Sequence, residues 1–248
     1  MAIRTKYKRV ISPKWRIYAL SGIATAIIIG LIILISQIST LGTDDKIPFK
    51  PHPLPELLAN WNDLSNKGDY FDQIESTTVG YLVFSKFPLK VYIENPDSNL
   101  QWKETVSSAI LKWNNYLPLS LVEQPQDADI EIIRKNPPLD PQKKRASSAE
   151  TRYQVSVNYT PEGFPYLSHH FTIWLSPTQT GQYIEAAVLH EFGHALGIWG
   201  HSPEKTDVMY FSQVREPPPI SVRDINTLKR IYQQPTRLGW PVLIPPKT

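Results

Sequence analysis

His190 and His194 stand four residues apart with Glu191 directly after the first, in the stretch His190-Glu191-Phe192-Gly193-His194-Ala195-Leu196-Gly197-Ile198-Trp199-Gly200-His201. On a helix, residues i and i+4 share a face, so the two imidazoles would rise from roots about 6 Å apart. Both can then reach one Zn2+ at about 2.1 Å. Glu191 is rotated by about 100° from His190. That makes it an awkward third ligand but a good acceptor for the proton of a water on the metal. Val188, Phe192 and Ala195 form an apolar arc on the opposite side that can face a core. His-bearing in front and apolar behind, the segment has the make-up of a metal helix lining a cleft.

This stretch resembles the metzincin clan of zinc endopeptidases, and within it the matrixin-type catalytic domains, whose pattern is H-E-x-x-H-x-x-G-x-x-H followed by a Met-turn. His190, Glu191, His194 and Gly197 match position for position. Met209, in Asp207-Val208-Met209-Tyr210, follows His201 at an interval similar to that of the matrixin Met-turn, and Ser221 to Tyr232 resembles the closing helix of those domains. The resemblance spans residues 81–234 and is most specific over 187–210. It implies a Zn2+ cofactor held by His190, His194 and His201, with Glu191 as catalytic base and Met209 as an apolar floor rather than a ligand. It also implies a protein or peptide substrate, extended along an edge strand placed near His170–Leu175, with residues 211–219 walling the pocket beyond the cut bond. No individual substrate-binding residue is assigned. One departure matters: His201 follows Gly197 by four residues where the family has three. A helix continued to His201 would carry it about 10 Å past His194, so the chain must turn. Gly197 can take a left-handed, helix-ending conformation and Gly200 can absorb the extra residue. Glu204 and Asp207 are the fallback ligands.

The elements that must position these residues read as an α/β, metzincin-like (zincin) catalytic domain: a twisted mixed sheet with an active-site helix, preceded by one transmembrane helix. Residues 87–93 and 128–133 have strand character, as do Tyr153–Tyr159 and Phe171–Leu175. Between the first two strands, Ser98 and Gln101 make a capping-box start. Trp102, Val106, Ala109, Ile110, Trp113 and Leu117 then recur at helical spacing up to Pro118. Strand, helix, then strands is compatible with three layers. The loop 134–150 carries the run Lys143-Lys144-Arg145, best read as a solvated face. His169 and His170 are adjacent on a strand, so they point to opposite faces and make a poor second metal site. His52 has no evident partner.

Charge and hydropathy set the surroundings of that domain. The 248 residues carry 26 Lys+Arg, 23 Asp+Glu and no cysteine. The absence of thiols excludes disulfides, thiolate metal sites and a cysteine nucleophile or switch. Residues 1–16 hold six basic residues and no acidic one, leaving 20 basic against 23 acidic residues and a charge of −3 for the remainder. A basic excess confined to one end argues for membrane orientation and against a nucleic-acid surface. From Ile17 to Thr43 there are 27 residues without a formal charge, rich in Ile and Leu, enough to cross a bilayer. The chain therefore divides into a cytoplasmic basic segment (1–16), a transmembrane signal anchor (17–40), a Pro-rich stalk or pro-segment (41–80), the catalytic domain (81–234) and a tail (235–248). Positive-inside bias leaves the catalytic domain outside the cytoplasm at the cell membrane, with secretion after cleavage of the anchor as the alternative. The function expected is that of a membrane-anchored zinc endopeptidase. The alternative, a membrane-tethered zinc-binding scaffold or pseudoprotease, is favoured only by the lengthened turn to His201, and the intact Glu191 argues against it.

Overall fold

The computed structural model describes residues 47–94, 100–138, 147–212 and 217–242. The expected anchor, the Ser98 cap and the basic run at 143–145 lie outside them. Among the described residues no helix is long and apolar enough to cross a membrane.

Five strands form one sheet: β1 (Leu89–Ile93), β2 (Leu119–Val122), β3 (Ile130–Arg134), β4 (Ala149–Tyr159) and β5 (Pro165–Leu175), in the order β2-β1-β3-β5-β4. All neighbours are parallel except β4, which runs antiparallel to β5 at the sheet edge. The register aligns Val91 with Ile130 and Ile130 with Phe171, and likewise Ile93 with Ile132 and Ile132 with Ile173. Every one of these side chains is buried. Because strand side chains alternate, they all fall on a single face. That face is covered by α2 (Leu100–Leu111) and α3 (Gln182–Ala195). Trp102, Val106, Ala109 and Ile110 make the buried stripe of α2, and the buried Trp113 beyond it donates its indole N–H to the Leu189 carbonyl of α3. The opposite face carries Lys90, Arg152 and a partly exposed Trp174, so the described domain has two layers where the element order allowed three. The strand at 119–122 is an addition to those expected. It follows Pro118 with only four residues, too short for a periodicity to show. The substrate-pairing edge expected at His170–Leu175 is also corrected: β5 lies between β3 and β4, and the sheet edge on that side belongs to β4.

Residues 47–80 are no stalk, and they belong to the same compact unit as the sheet. The short helix α1 (Glu56–Asn60) buries Leu58 completely, while Leu64 stays 91% exposed. Trp61 donates to Asn226, and the Tyr70 amide donates to the Thr227 hydroxyl. Both acceptors lie on α4 (Val222–Tyr232), the helix expected at 221–232. The prolines suggested an extended spacer, but extended backbone can also pair. Lys50 accepts hydrogen bonds from Thr236 N and the Trp240 indole. The C-terminal residues pack in the same way. Thr236 is fully buried, and residues 239 and 242 donate to the carbonyls of Leu167 and Pro165 along β5. His52, expected to lack a partner, stacks on Trp240 at 4.0 Å and donates to the Leu238 carbonyl. The domain boundaries expected at 81 and 234 thus widen to at least 47 and 242.

If residues 47–80 are part of the fold, Leu58→Ala should destabilise the protein by about 2–5 kcal/mol in urea unfolding, as truncation of a fully buried leucine does. A stalk residue would change stability by less than about 0.5 kcal/mol.

Candidate metal centre

Helix α3 supplies His190 and His194, and the way it ends sets the path of the chain towards His201. Gly197 has φ +118, and a Cβ there would meet the Leu82 carbonyl oxygen at 2.8 Å. Only glycine takes that backbone without strain. The helix closes with Ile198 N donating back to the Gly193 carbonyl at 3.1 Å, a six-residue closure that satisfies an end carbonyl. The same turn presents the Ile198 carbonyl to His194, whose Nδ1 donates to it at 2.7 Å. His190 Nδ1 donates to the Val208 carbonyl at 2.9 Å. A carbonyl can only accept, so both rings donate from Nδ1, and in each it is Nε2 that remains to face a metal.

The extra residue before His201 is taken up in two tight steps, with Trp199 N bonded to the Gly197 carbonyl and Gly200 N to that of Ile198. The chain is then held from both sides. Gly200 forms an antiparallel bridge with Ile74, and Glu75 N donates to the Trp199 carbonyl at 2.9 Å. A Cβ on Gly200 would lie 2.1 Å from the Gln73 carbonyl oxygen. On the other side Ser202 bridges to Tyr210 and donates its N–H to the Met209 carbonyl. His201 is therefore held between the N-terminal segment and the turn around Met209. One ring nitrogen from each of His190, His194 and His201 lies within 4.8 Å of the other two.

Three imidazoles around one point form a donor set suited to zinc, whose tetrahedral sites place ligand nitrogens about 3.4 Å apart. Burial, with His190 nearby, pushes His194 well below the usual histidine range and His201 down to about 4. Both rings are thus ready to coordinate without losing a proton. Met209 is fully buried, its sulfur so close to Gly193 that a Cβ there would meet it at 2.3 Å. It lies under the helix as a floor and outside the nitrogen cluster. The fallback ligands are otherwise engaged or exposed. Asp207 is buried and accepts from Ser202, Ser221 and Arg223, while Glu204 faces solvent. His169 is buried between Phe84 and Phe171, and His170 faces Glu131 at 3.4 Å, so the pair indeed splits to opposite faces.

Glu191 faces two hollows that flank the imidazole cluster. One is lined by Tyr210, Phe211, Pro217 and Pro218, the other by Glu75, Thr151 and Trp199. Burial pushes the Glu191 carboxyl above its usual range, against the pull of His190 and of Thr151. The Thr151 hydroxyl on β4 lies 2.6 Å from Glu191 Oε2 and 2.9 Å from the Glu191 carbonyl, so its one proton can serve either. A cation at the three imidazoles would favour the ionised carboxylate.

Several residues that set this geometry have little or no signature in the sequence. Asp224, fully buried, accepts from the Tyr70 hydroxyl and from the amides of Val208, Met209 and Ser221. It thereby ties the N-terminal segment to the turn whose carbonyl holds His190. The only trace in the sequence is the spacing Ser221-x-x-Asp224, which forms a capping box at the start of α4. Thr151 and the Gln73–Glu75 backbone leave no trace at all, because their roles depend on contacts far apart in the chain.

Comparison with known proteins gives one family: the Matrixin peptidase model matches residues 85–233, more than half of the chain. No curated protein matches significantly.

If the Ile74–Gly200 bridge positions the third imidazole, Gly200→Ala should weaken zinc binding by roughly 10–100-fold, the usual effect of losing a group that orients a ligand. Competition against a chromophoric chelator measures it, and an unchanged affinity would show that the bridge braces nothing.

Proposed function

The chain belongs to the Matrixin family of metallopeptidases, and from that premise we propose that it is a zinc endopeptidase anchored to the membrane by residues 17–40, with its catalytic domain outside the cytoplasm. The observation that carries the reading is Glu191, oriented by Thr151 beside three convergent imidazoles. His190, His194 and His201 would hold the zinc through their ring nitrogens, with Nδ1 of the first two fixed by backbone carbonyls. Bound there, the ion supplies Lewis acidity to a water and to the scissile carbonyl. Glu191 accepts a proton from the attacking water and delivers it to the departing amine, acting first as base and then as acid. Thr151 keeps the carboxylate aimed at the reacting atoms in both steps. Tyr210, Phe211, Pro217 and Pro218 offer an apolar wall for a substrate side chain next to the cut bond. Anchoring is supported by the long uncharged run and the one-sided basic cluster before it.

The longer turn to His201, which favoured a scaffold without turnover, does not draw its ring away from the cluster. An oriented carboxylate there has no purpose in a purely structural site.

On this reading Glu191→Gln retains zinc but loses about a hundredfold to ten-thousandfold in kcat/KM on a peptide library, the usual range for an acid–base group. Equal cleavage by both forms would refute the role given to Glu191. Fractionation tests the anchor. The full chain should need detergent for release from membranes, whereas a chain lacking residues 1–40 should not. Release of the full chain by salt alone would contradict it.

A further inference from the structure

The segment ahead of the family match also brings a side chain of its own to the metal centre. Glu75 precedes residue 85, where that match begins. Its backbone is fixed: Glu75 N donates to the Trp199 carbonyl at 2.9 Å, and the buried Ile74 before it bridges to Gly200. The Glu75 side chain is exposed and lines the hollow that also reaches Thr151, Glu191, Trp199 and His201. Among the described residues no hydrogen bond or ion pair engages its carboxylate.

The other carboxylates of that hollow are engaged. Glu150 accepts from Arg152 at 2.7 Å, and the Arg152 guanidinium lies over the Trp174 ring at 4.5 Å, on the outer face of the sheet. Glu191 is bonded to Thr151. No Lys or Arg lines the hollow among the described residues. The negative charge of Glu75 is therefore uncompensated there, and Trp199 stands beside it. That indole is held edge-on by Tyr153 at 5.0 Å and by His194 at 5.9 Å. An aromatic ring next to an unpaired carboxylate suits a long cationic side chain, whose apolar stem lies on the ring while its head reaches the acid. The hollow on the other flank of the imidazoles, with Tyr210, Phe211, Pro217 and Pro218, is apolar in character. The two sides of the metal centre thus differ in the residue that each can receive.

We propose that Glu75, together with Trp199, selects a lysine or arginine of the substrate on the side of the cut bond away from the apolar wall. The inference rests on the peptidase reading and names its substrate class: polypeptides with a basic residue on one side of the scissile bond and an apolar one on the other. The bridge that holds Glu75 in place is the one that braces His201, so a single segment sets both the third imidazole and the charge preference. Because the carboxylate is exposed, the preference is moderate and sensitive to salt.

The test uses the full-length chain and a quenched peptide selected from a random library. Lysine, its uncharged analogue norleucine, or glutamate is placed at each position in turn on both sides of the cut bond. At one position, on one side only, lysine should exceed norleucine in kcat/KM by about fivefold to tenfold, the combined effect of an exposed ion pair and a cation over a ring. Glutamate should fall below norleucine there. Glu75→Gln should bring the lysine-to-norleucine ratio close to one, and Glu75→Lys should invert the order of lysine and glutamate. Each ratio is taken within one variant, so a general loss of activity cancels. Binding is read in parallel, by anisotropy of the same peptides on zinc-loaded Glu191→Gln with and without Glu75→Gln. No position favouring lysine over norleucine, or a preference that survives Glu75→Gln, would overturn the inference. So would equal binding of the three peptides, whatever the native chain cleaves. Binding that favours lysine through Glu75, with no cleavage by the native chain, would uphold the hollow and overturn the peptidase reading instead.

Discussion

A helix can offer only two of three imidazoles to one ion, so the centre depends on where helix α3 stops and how the chain returns. It stops at Gly197, where a positive φ and the nearby Leu82 carbonyl each disfavour a side chain. The closure is economical: the backbone turn that ends the helix also presents the Ile198 carbonyl that orients His194. A side chain at 197 would at once strain the turn, displace that carbonyl and mis-aim the path to His201. The extra residue relative to the family pattern is accommodated because Gly200 lies flat against the Gln73 backbone.

The surroundings of the imidazoles form a connected set of bonds rather than a shell of independent contacts. Tyr70 donates to Asp224, Asp224 accepts from the amides of Val208 and Met209, and the Val208 carbonyl orients His190. Asp207 joins the same region through Ser202, Ser221 and Arg223. A buried carboxylate that lost these donors would be left desolvated and unpaired. The N-terminal segment therefore braces the imidazole cluster twice over, through Tyr70 towards His190 and through Gln73–Glu75 towards His201.

Only local features are legible in the sequence. The His190/His194 spacing, the apolar back of their helix, the glycine at its end and the stripe of α2 all depend on residues within a few turns of each other, and each appears where periodicity places it. The strand at 119–122 escapes because four residues carry too little pattern. The sheet edge is misplaced because strand order depends on which segments meet across the sheet, something that the alternation within one strand does not encode. The error over residues 47–80 has a similar origin. Four prolines indicate extended backbone, but whether it pairs or hangs free is decided by Thr236 and Trp240, some 190 positions away. Asp224 shows the same limit: its capping role is visible in principle, its burial under the Met-turn is not.

All of this chemistry requires one zinc gripped by His190, His194 and His201. Zinc-edge X-ray absorption on the purified chain tests that grip most directly. The predicted result is one zinc per chain with three imidazole nitrogens at about 2.0–2.1 Å and an oxygen completing the set. A shell with only two imidazoles, a carboxylate standing in for the third, or a chain that binds no zinc would contradict it.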